Sequence, residues 1–259
     1  MHRVLIIAGS DSGGGAGIQA DIKTVTCLGG FAMTSVTAIT VQNTLGVSDV
    51  YPVPPHIITA QAQACLDDLG ADTIKTGMLA DTEVMEAVSL VLENARIFTV
   101  IDPVMIAKGG HVLMKHHAVD AMKALMLPLA DLLTPNTPEA TALTGIKIET
   151  EADMQKAGEA LLNMGAKNVL IKGGHLSGPE VVDLLVTPKK VHRFASERID
   201  TLHTHGTGCT LASACAALTR DARPLEETVG LARDYLMGAI LMAPHLGEGH
   251  GPLRHNWLL

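Results

Sequence analysis

Aromatic side chains are scarce in this chain of 259 residues, of which Phe, Tyr and Trp together make up 2%. Hydrophobic residues nevertheless amount to 47%, so Leu, Ile, Val, Ala and Met must fill the interior. The 12 methionines favour adaptable core packing over a methionine-lined binding face. The length is enough for one sizeable core, and we expect one large α/β domain.

An excess of positive charge is also missing. The sequence has 19 Lys and Arg against 27 Asp and Glu, a formal net charge of -8, and no long basic run. We therefore expect no nucleic-acid partner. A phosphorylated ligand is still compatible with this charge, because glycine loops and helix N-termini bind anions without net positive charge.

Cysteine pairs and long apolar segments are absent as well. The 4 cysteines, at positions 27, 65, 209 and 215, include no CxxC pair, which argues against a zinc knuckle or a disulfide framework. The N-terminal apolar run, from Val4 to Ala8, is too short for a signal peptide or a membrane span. We expect no membrane partner and a location in the reducing cytoplasm.

Strand-like and helix-like patterns alternate along the chain. The patterns predict strands over 4–8, 34–41, 73–76, 97–102, 132–133 and 168–172, a hairpin over 181–194, and helices over 18–28, 55–69, 82–92, 117–127 and 150–163, with two more after Cys209. This alternation predicts a largely parallel sheet covered by helices on both faces. No linker or repeat interrupts it, so we expect a single domain over 1–259.

Ligands of such sheets bind at the carboxyl ends of the strands. The segments that follow the predicted strands are therefore the first places to look for a site: 9–17, Gln42, Gly77 and Met78, Asp102, Asn136, 172–175, and the loop before Cys209.

The first of these segments holds four glycines in five residues, Gly13 to Gly17. A flexible turn between strand and helix would explain them, as would a loop that lets a ligand touch the backbone. No Lys-Ser or Lys-Thr follows, so this is not a Walker A loop. A dinucleotide site is disfavoured because the strand ends too early for GxGxxA and Gln42 stands where an acid would close the second strand.

Asp21 falls within the apolar face of the following helix, between Leu28 and Val25. An acid that points inward needs a partner. That partner is either a lysine or backbone group of the protein, or a ligand.

Gln42 ends a predicted strand, where a capping amide would be the simplest interpretation. Its carbonyl acceptor and NH₂ donor also match an aminopyrimidine edge, a ring nitrogen beside an exocyclic amine.

Acidic and basic side chains follow the later strands. Asn136 and Glu139 stand three apart at a predicted helix start, as a cap would require. Asp102 and Glu139 around a cleft would alternatively hold Mg²⁺, directly or through water. Lys172 would meet phosphate charge or pair with a neighbouring acid.

The stretch HTHGTGCT, residues 203–210, places Cys209 at the start of a helix. There the pKa of a thiol can fall from about 8.5 toward neutrality. Gly206, Thr207 and Gly208 would offer N–H groups to an anion. An anion hole beside an ionisable group is what phosphoryl transfer requires. Cys215, inside the helix, is expected to fill the core.

The histidines give little indication of a functional site. His203 and His205 have the spacing of a metal pair, but no third ligand is evident, so metal binding is disfavoured. His116 and His117 are expected at a solvated helix start.

Eight blocks in order resemble a known family: AGSDSGGGAGIQADIKT, TAITVQNT, IKTGML, DPVM, TPNTPEA, IKGGH, HGTGCTLASA and GEGHGP. The chain resembles the hydroxymethylpyrimidine/phosphomethylpyrimidine kinases of the ribokinase-like superfamily over nearly its whole length. The resemblance implies a three-layer α/β/α fold and two ATP-dependent steps. The first phosphorylates 4-amino-5-hydroxymethyl-2-methylpyrimidine, and the second makes the diphosphate used in thiamin synthesis.

The resemblance also implies roles for individual residues. Asp102 and Glu139 would lie near Mg²⁺, and Lys172 with Gly206, Thr207 and Gly208 would surround the ATP phosphates. Cys209 would be the base, where many related sugar kinases have Asp. A homodimer is implied as well. The residues matching the family's pyrimidine pocket are Gly9, Ala16, Asp21, Gln42, Met78 and Val104.

Three other functions stay open at this point. Pyridoxal kinases share the fold and the cysteine-containing loop, although Gln42 and the glycine block favour the aminopyrimidine. A non-catalytic protein that kept the pocket is the second alternative, although Asp21, Lys172, Glu139 and Cys209 are all intact. A dehydrogenase is the least favoured of the three alternatives.

Overall fold

The computed structural model describes residues 1–105, 118–219 and 223–259. Within these ranges one sheet of nine strands runs through the molecule in the order β3-β2-β1-β4-β5-β6-β7-β8-β9. The strands are β1 (Arg3–Asp11), β2 (Phe31–Asn43), β3 (Gly46–Pro52), β4 (Thr73–Thr76), β5 (Thr99–Ile101), β6 (Leu132–Leu133), β7 (Val169–Lys172), β8 (Glu180–Val186) and β9 (Val191–Glu197).

Eight α-helices connect these strands in the described ranges: α1 (Gly17–Cys27), α2 (Pro55–Asp68), α3 (Thr82–Ala95), α4 (Ala118–Ala121), α5 (Thr137–Thr144), α6 (Glu151–Asn163), α7 (Thr207–Leu218) and α8 (Leu225–Leu241). None of them is both long and apolar enough to span a bilayer.

The helices cover both faces of the sheet. Along β1, Leu5 joins the apolar cluster that contains Ile58 of α2. The neighbouring Ile6 joins the opposite cluster, with Val25 of α1 and Val229 of α8. Because successive side chains of a strand point to opposite faces, a strand that is apolar throughout must be covered twice. The predicted three-layer α/β/α fold is therefore confirmed.

The sheet is mostly parallel, as predicted. β1 pairs in parallel with both β2 and β4, and β4 to β7 continue in parallel. The antiparallel pairs in the described ranges are β2 with β3, β7 with β8, and β8 with β9. Since the chain leaves β1 first toward β2 and later toward β4, the carboxyl end of β1 is a point where the strand order reverses, which is where ligands bind in open α/β sheets.

Three features of the fold differ from the prediction, and the first two concern strands. β1 does not end at Gly9 but continues to Asp11, with a register shift between Ala8 and Ser10. β3 was not predicted: it is an edge strand whose side chains are largely exposed, so no alternation marks it in the sequence.

The third difference concerns the helix predicted over 117–127. From Ala118 it changes after one turn into a wider π-helical turn at Met122–Met126 and then a 3-10 turn at Leu127–Leu129. The proposed solvated start at His116 and His117 lies outside the described residues.

Candidate active site

A cavity of about 310 Å³ opens at the carboxyl ends of the parallel strands, beside the N-terminus of α7. All but one of the site residues predicted from the sequence line it: Gly9, Ala16, Gln42, Met78, Asp102, Val104, Glu139, Lys172, Gly206, Thr207, Gly208 and Cys209. They converge there because parallel strands end at the same edge of the sheet.

The exception is Asp21, which is fully buried and does not line the cavity. Both of its carboxylate oxygens lie 2.9 Å from Lys75 Nζ, and Ser213 donates a hydrogen bond of 2.6 Å to Oδ1. The structure thus gives this acid the lysine partner that was one of its two predicted alternatives. Lys75, and not Asp21, reaches the cavity wall.

The amide of Gln42 occupies one side of the cavity. Its Oε1 lies 3.0 Å from Thr40 Oγ1, and its Nε2 lies 3.2 Å from His205 Nε2. Because an amide oxygen accepts two hydrogen bonds and an amide nitrogen donates two, one acceptor and one donor remain for a ligand. The donor–acceptor pair predicted from the sequence is therefore present at the cavity.

Asp102 and Lys172 form an ion pair on another side of the cavity. Lys172 Nζ donates to Asp102 Oδ1 over 2.8 Å, and Thr134 Oγ1 donates to the same oxygen over 3.1 Å. Burial lowers the pKa of Lys172, but the charges of Asp102 and Glu139 outweigh it and raise that pKa overall. Lys172 is consequently a permanent cation at the cavity wall.

Glu139 begins α5 in a capping box with Asn136, as the spacing predicted. Asn136 Oδ1 accepts from the Glu139 N–H and Glu139 Oε2 accepts from the Asn136 N–H, both over 2.8 Å. Burial raises the pKa of Glu139 to about 7, against the opposing charge of Lys172. One carboxylate oxygen holds the helix start, and the side chain also lines the cavity.

The donor set of Asp102 and Glu139 suits a hard cation. Among the described residues no group of three or more His, Cys, Asp or Glu could hold a metal by itself. Mg²⁺, however, is usually bound through one or two carboxylates together with waters and substrate phosphates. Two carboxylates on the wall of a cavity fit such a shared site.

The N-terminus of α7 approaches the cavity through two glycines. Gly206 caps the helix in the left-handed region, with φ 83°, and a Cβ there would collide with the carbonyl oxygen of Gly15. A Cβ on Gly208 would lie 3.2 Å from Lys172 Nζ. A larger residue at position 206 would therefore push the helix start away from the glycine-rich loop, whereas one at position 208 would require a small shift of the Lys172 ammonium group.

Cys209 lies in the first turn of α7 and lines the cavity, as predicted. The predicted fall of its pKa toward neutrality is wrong. Burial, with the charges of Asp21 and Asp102, raises the pKa of the thiol to about 11 although Lys75 lowers it. The tertiary structure thus surrounds the helix start with low-dielectric protein and two carboxylates, which outweigh the helix dipole.

A second cavity of about 250 Å³ shares part of its wall with the first. Both are lined by Asn136, Lys172, His175, Thr204, Thr207 and Gly208. Beyond them the second cavity extends between β8, β9 and α8, along Val181, Arg198, Leu236, Met237 and Ile240. Lys172 and the start of α7 therefore stand between two adjoining spaces.

The family model described as phosphomethylpyrimidine kinase matches residues 11–254. The chain belongs to this family. It is 46% identical to the hydroxymethylpyrimidine/phosphomethylpyrimidine kinase of Haemophilus influenzae, over 98% of this chain and 97% of that protein. It is also 49% identical to the thiamine biosynthesis bifunctional protein ThiED of Geobacter sulfurreducens, over 97% of this chain but 52% of that protein, so it spans about half the length of this relative.

Among solved structures, the ADP complex of Bacillus subtilis pyridoxal kinase superposes with a TM-score of 0.92. The sequence identity is 35%, and the match covers 100% of this chain and 98% of that one. This phosphomethylpyrimidine kinase family member therefore has the ribokinase-like fold that the resemblance implied.

Sequence reasoning missed three side chains of this kinase site: Asp11, Lys75 and His205. Asp11 comes three residues after Ala8, the predicted end of the first strand, whereas β1 continues as far as Asp11. Its position at the end of a strand is a usable signal. The spacing of His205 from His203 indicates only a metal pair. No local pattern marks Lys75, because its partner lies 54 residues away.

Proposed function

We propose that this protein transfers the γ-phosphoryl group of ATP to 4-amino-5-hydroxymethyl-2-methylpyrimidine, and then a second one to the monophosphate, in thiamine biosynthesis. The observation that carries the proposal is the arrangement of one cavity with a hydrogen-bonding amide, Gln42, on one side and the Lys172–Asp102 pair beside the start of α7 on another.

The Gln42 side of the cavity suits the pyrimidine. The amide has one free acceptor for the exocyclic amine and one free donor for the ring nitrogen. Gly9, Ala16, Met78 and Val104 supply small or apolar surface around it, which suits a flat heterocycle. Asp21 does not line the cavity and would act on it through Lys75, which does. A direct contact between Asp21 and the pyrimidine stays a prediction.

The second cavity suits the nucleotide, because Lys172 and Gly208 belong to both spaces. A triphosphate that enters from there would bring its terminal phosphate to the lysine and to the N–H groups at the start of α7. Asp102 and Glu139 would hold Mg²⁺, which when bound supplies charge neutralisation on the phosphate oxygens. Lys172 and the helix N-terminus add fixed positive charge around the transferred group.

Cys209 would accept the hydrogen bond of the substrate hydroxyl. With a thiol pKa of about 11, only about one molecule in ten thousand is a thiolate at pH 7. Phosphoryl transfer through a loose transition state needs little proton removal before the bond to phosphorus forms. The sulfur would therefore position the hydroxyl, and in the thiolate form it would take the hydroxyl proton late and become a neutral thiol. In the second step the phosphate acceptor has no such need.

Pyridoxal is the second candidate acceptor, favoured by the superposition on a pyridoxal kinase. The decisive assay supplies ATP and Mg²⁺ with the hydroxymethylpyrimidine or with pyridoxal, and follows mono- and diphosphates by mass. We expect pyrimidine monophosphate followed by diphosphate. Pyridoxal phosphate alone would assign the second function, and no product from either acceptor would leave a binding protein without catalysis.

We also propose that the chain acts as a single-domain homodimer in the cytoplasm. The β2–β3 hairpin exposes apolar side chains that include Ile39, Val41, Leu45 and Tyr51, and contiguous exposed apolar surface marks contact sites. Sedimentation equilibrium of the wild type and of Ile39→Glu/Val41→Glu tests this, with a monomeric wild type as the contrary result.

A further inference from the structure

His205 connects the glycine-rich loop to the amide that faces the cavity. Its Nε2 lies 3.0 Å from Asp11 Oδ2 and 3.2 Å from Gln42 Nε2. Only 8% of the His205 side chain is exposed, and 3% of Asp11. Neither group can therefore exchange its partner for bulk water without opening the site.

The hydrogen on Nε2 follows from the surroundings of Asp11. That carboxylate accepts hydrogen bonds from the N–H groups of Gly13, Gly15 and Ala16, over 2.8, 3.0 and 2.8 Å. Burial raises the pKa of Asp11, but His205 and the N–H groups of Ala16 and Gly13 lower it below its usual value overall. Asp11 is therefore a carboxylate, an acceptor only, and His205 must bring a hydrogen on Nε2 to a contact of 3.0 Å.

An N–H on His205 cannot also accept from the NH₂ group of Gln42. Amide oxygen and nitrogen positions are assigned from the hydrogen-bond network, and here one assignment satisfies every group. In this assignment the oxygen and nitrogen of the Gln42 amide exchange places, so that the carbonyl oxygen faces His205 and shares the His205 N–H with Asp11. The NH₂ group then faces Thr40 Oγ1, whose own hydrogen goes to the Ser10 carbonyl 3.0 Å away.

We propose that His205 is a specificity-determining positioning residue, which holds the Gln42 amide in this one orientation by an N–H that Asp11 fixes in place. The inference rests on the proposed function. With the amide so held, its carbonyl accepts from the pyrimidine amine and its NH₂ group donates to the ring nitrogen. The glycine-rich loop contributes by holding Asp11.

The orientation matters because the two candidate acceptors present opposite patterns. When their hydroxymethyl groups are superposed, the amine of the pyrimidine corresponds to the aldehyde oxygen of pyridoxal, an acceptor. The ring nitrogen of the pyrimidine corresponds to the ring oxygen substituent of pyridoxal, which is a donor in its hydroxyl form. An amide free to rotate would serve both, whereas a fixed amide favours the pyrimidine.

The test compares kcat and KM for the pyrimidine and for pyridoxal, with pyridoxal also measured as a competitive inhibitor. In His205→Ala we expect KM for the pyrimidine to rise more than kcat falls. The preference for the pyrimidine over pyridoxal should fall by about tenfold, the effect of one or two lost hydrogen bonds. His205→Gln, whose amide N–H can replace Nε2–H, should restore most of the preference, and the exposed His56→Ala is the matched control.

Equal losses for both acceptors in His205→Ala, with the preference unchanged, would overturn the inference and leave His205 a structural role. If His205→Ala does not fold, Thr40→Val removes the other hydrogen-bond partner of the Gln42 amide. This variant must then itself reduce the preference for the pyrimidine over pyridoxal. A wild type that does not phosphorylate the pyrimidine would instead defeat the proposed function. The two failures are thus distinguishable.

Discussion

Lys75 Nζ lies 2.9 Å from both carboxylate oxygens of Asp21, and neither side chain is exposed to solvent. Buried charges of this kind are costly unless they are paired and hydrogen-bonded. Asp21 has this pair and the hydroxyl of Ser213 as well. The pair also places a cation behind Cys209, where it lowers the pKa of the thiol against burial.

The first prediction concerns the stability of this pair. Lys75→Met leaves the Asp21 carboxylate buried without its partner and should cost about 3–5 kcal/mol of the free energy of unfolding. The double variant Lys75→Met/Asp21→Asn removes both charges and should be more stable than Lys75→Met alone. Urea unfolding measures both, and a double variant no better than the single one would contradict the assignment.

The second prediction separates the two phosphorylation steps. Cys209→Ala should slow the hydroxymethyl step by about a hundredfold, the lower end for proton transfer by a positioned group, and slow the phosphate step much less. In the wild type the hydroxymethyl step should also accelerate as pH rises toward the thiol pKa of about 11. Separate rates for each acceptor check this; equal losses in both steps would remove the proton-accepting role.

The third prediction tests the recognition amide. Gln42→Leu removes two hydrogen bonds and should raise KM for the pyrimidine by about tenfold or more, with a smaller change in kcat. Gln155→Leu, an exposed glutamine on α6, is the matched control and should leave KM unchanged. Retained affinity in Gln42→Leu would show that another group recognises the ring.

The fourth prediction compares two left-handed glycines. Gly206 has φ 83° and Gly145 has φ 75°, but only at Gly206 would a Cβ collide with another part of the chain. Gly145→Ala should cost about 1 kcal/mol of unfolding free energy and leave activity intact. Gly206→Ala should cost more and reduce kcat, because the start of α7 must move away from Gly15. Similar effects of the two variants would contradict the crowding at α7.

The fifth prediction concerns pH. His255 is buried, its Nε2 lies 3.0 Å from Thr210 Oγ1 in the first turn of α7, and burial lowers its pKa to about 4. The neutral ring therefore contributes stability that is complete above about pH 6.5, the unfolded value, and is lost as pH falls toward 4. The loss is on the order of 3 kcal/mol.

The measurement is urea unfolding of the wild type and of His255→Gln between pH 4 and 7. The glutamine keeps a hydrogen-bonding group for Thr210 but does not titrate, so the difference between the two proteins should shrink as pH falls. A difference that stays constant over this range would show that His255 does not titrate on unfolding.

Features with a local cause were predictable from the sequence. The capping box of Asn136 with Glu139 was found as the three-residue spacing predicted. Alternating strands and helices gave the parallel sheet. The parallel sheet in turn gave the cavity at its carboxyl edge, which is why Gln42, Asp102 and Lys172 were placed on it correctly.

Features that depend on distant parts of the chain were not predictable. The choice between a lysine and a ligand for Asp21 needed the position of Lys75. The partner of His205, Asp11, is 194 residues away, so a histidine two positions from another resembled a metal pair instead. The edge strand β3 carried no buried face and hence no pattern.

By itself, the sequence determined the elements, their parallel arrangement and the residues that follow each strand, because periodicity, caps and glycines act within a few neighbouring residues. Only the tertiary structure decided the charge states. The pKa of the Cys209 thiol is about 11, and not close to neutral pH, because the folded chain buries the thiol and places the carboxylates of Asp21 and Asp102 near it. Electrostatic energies depend on distance and burial in three dimensions, which residue order does not specify.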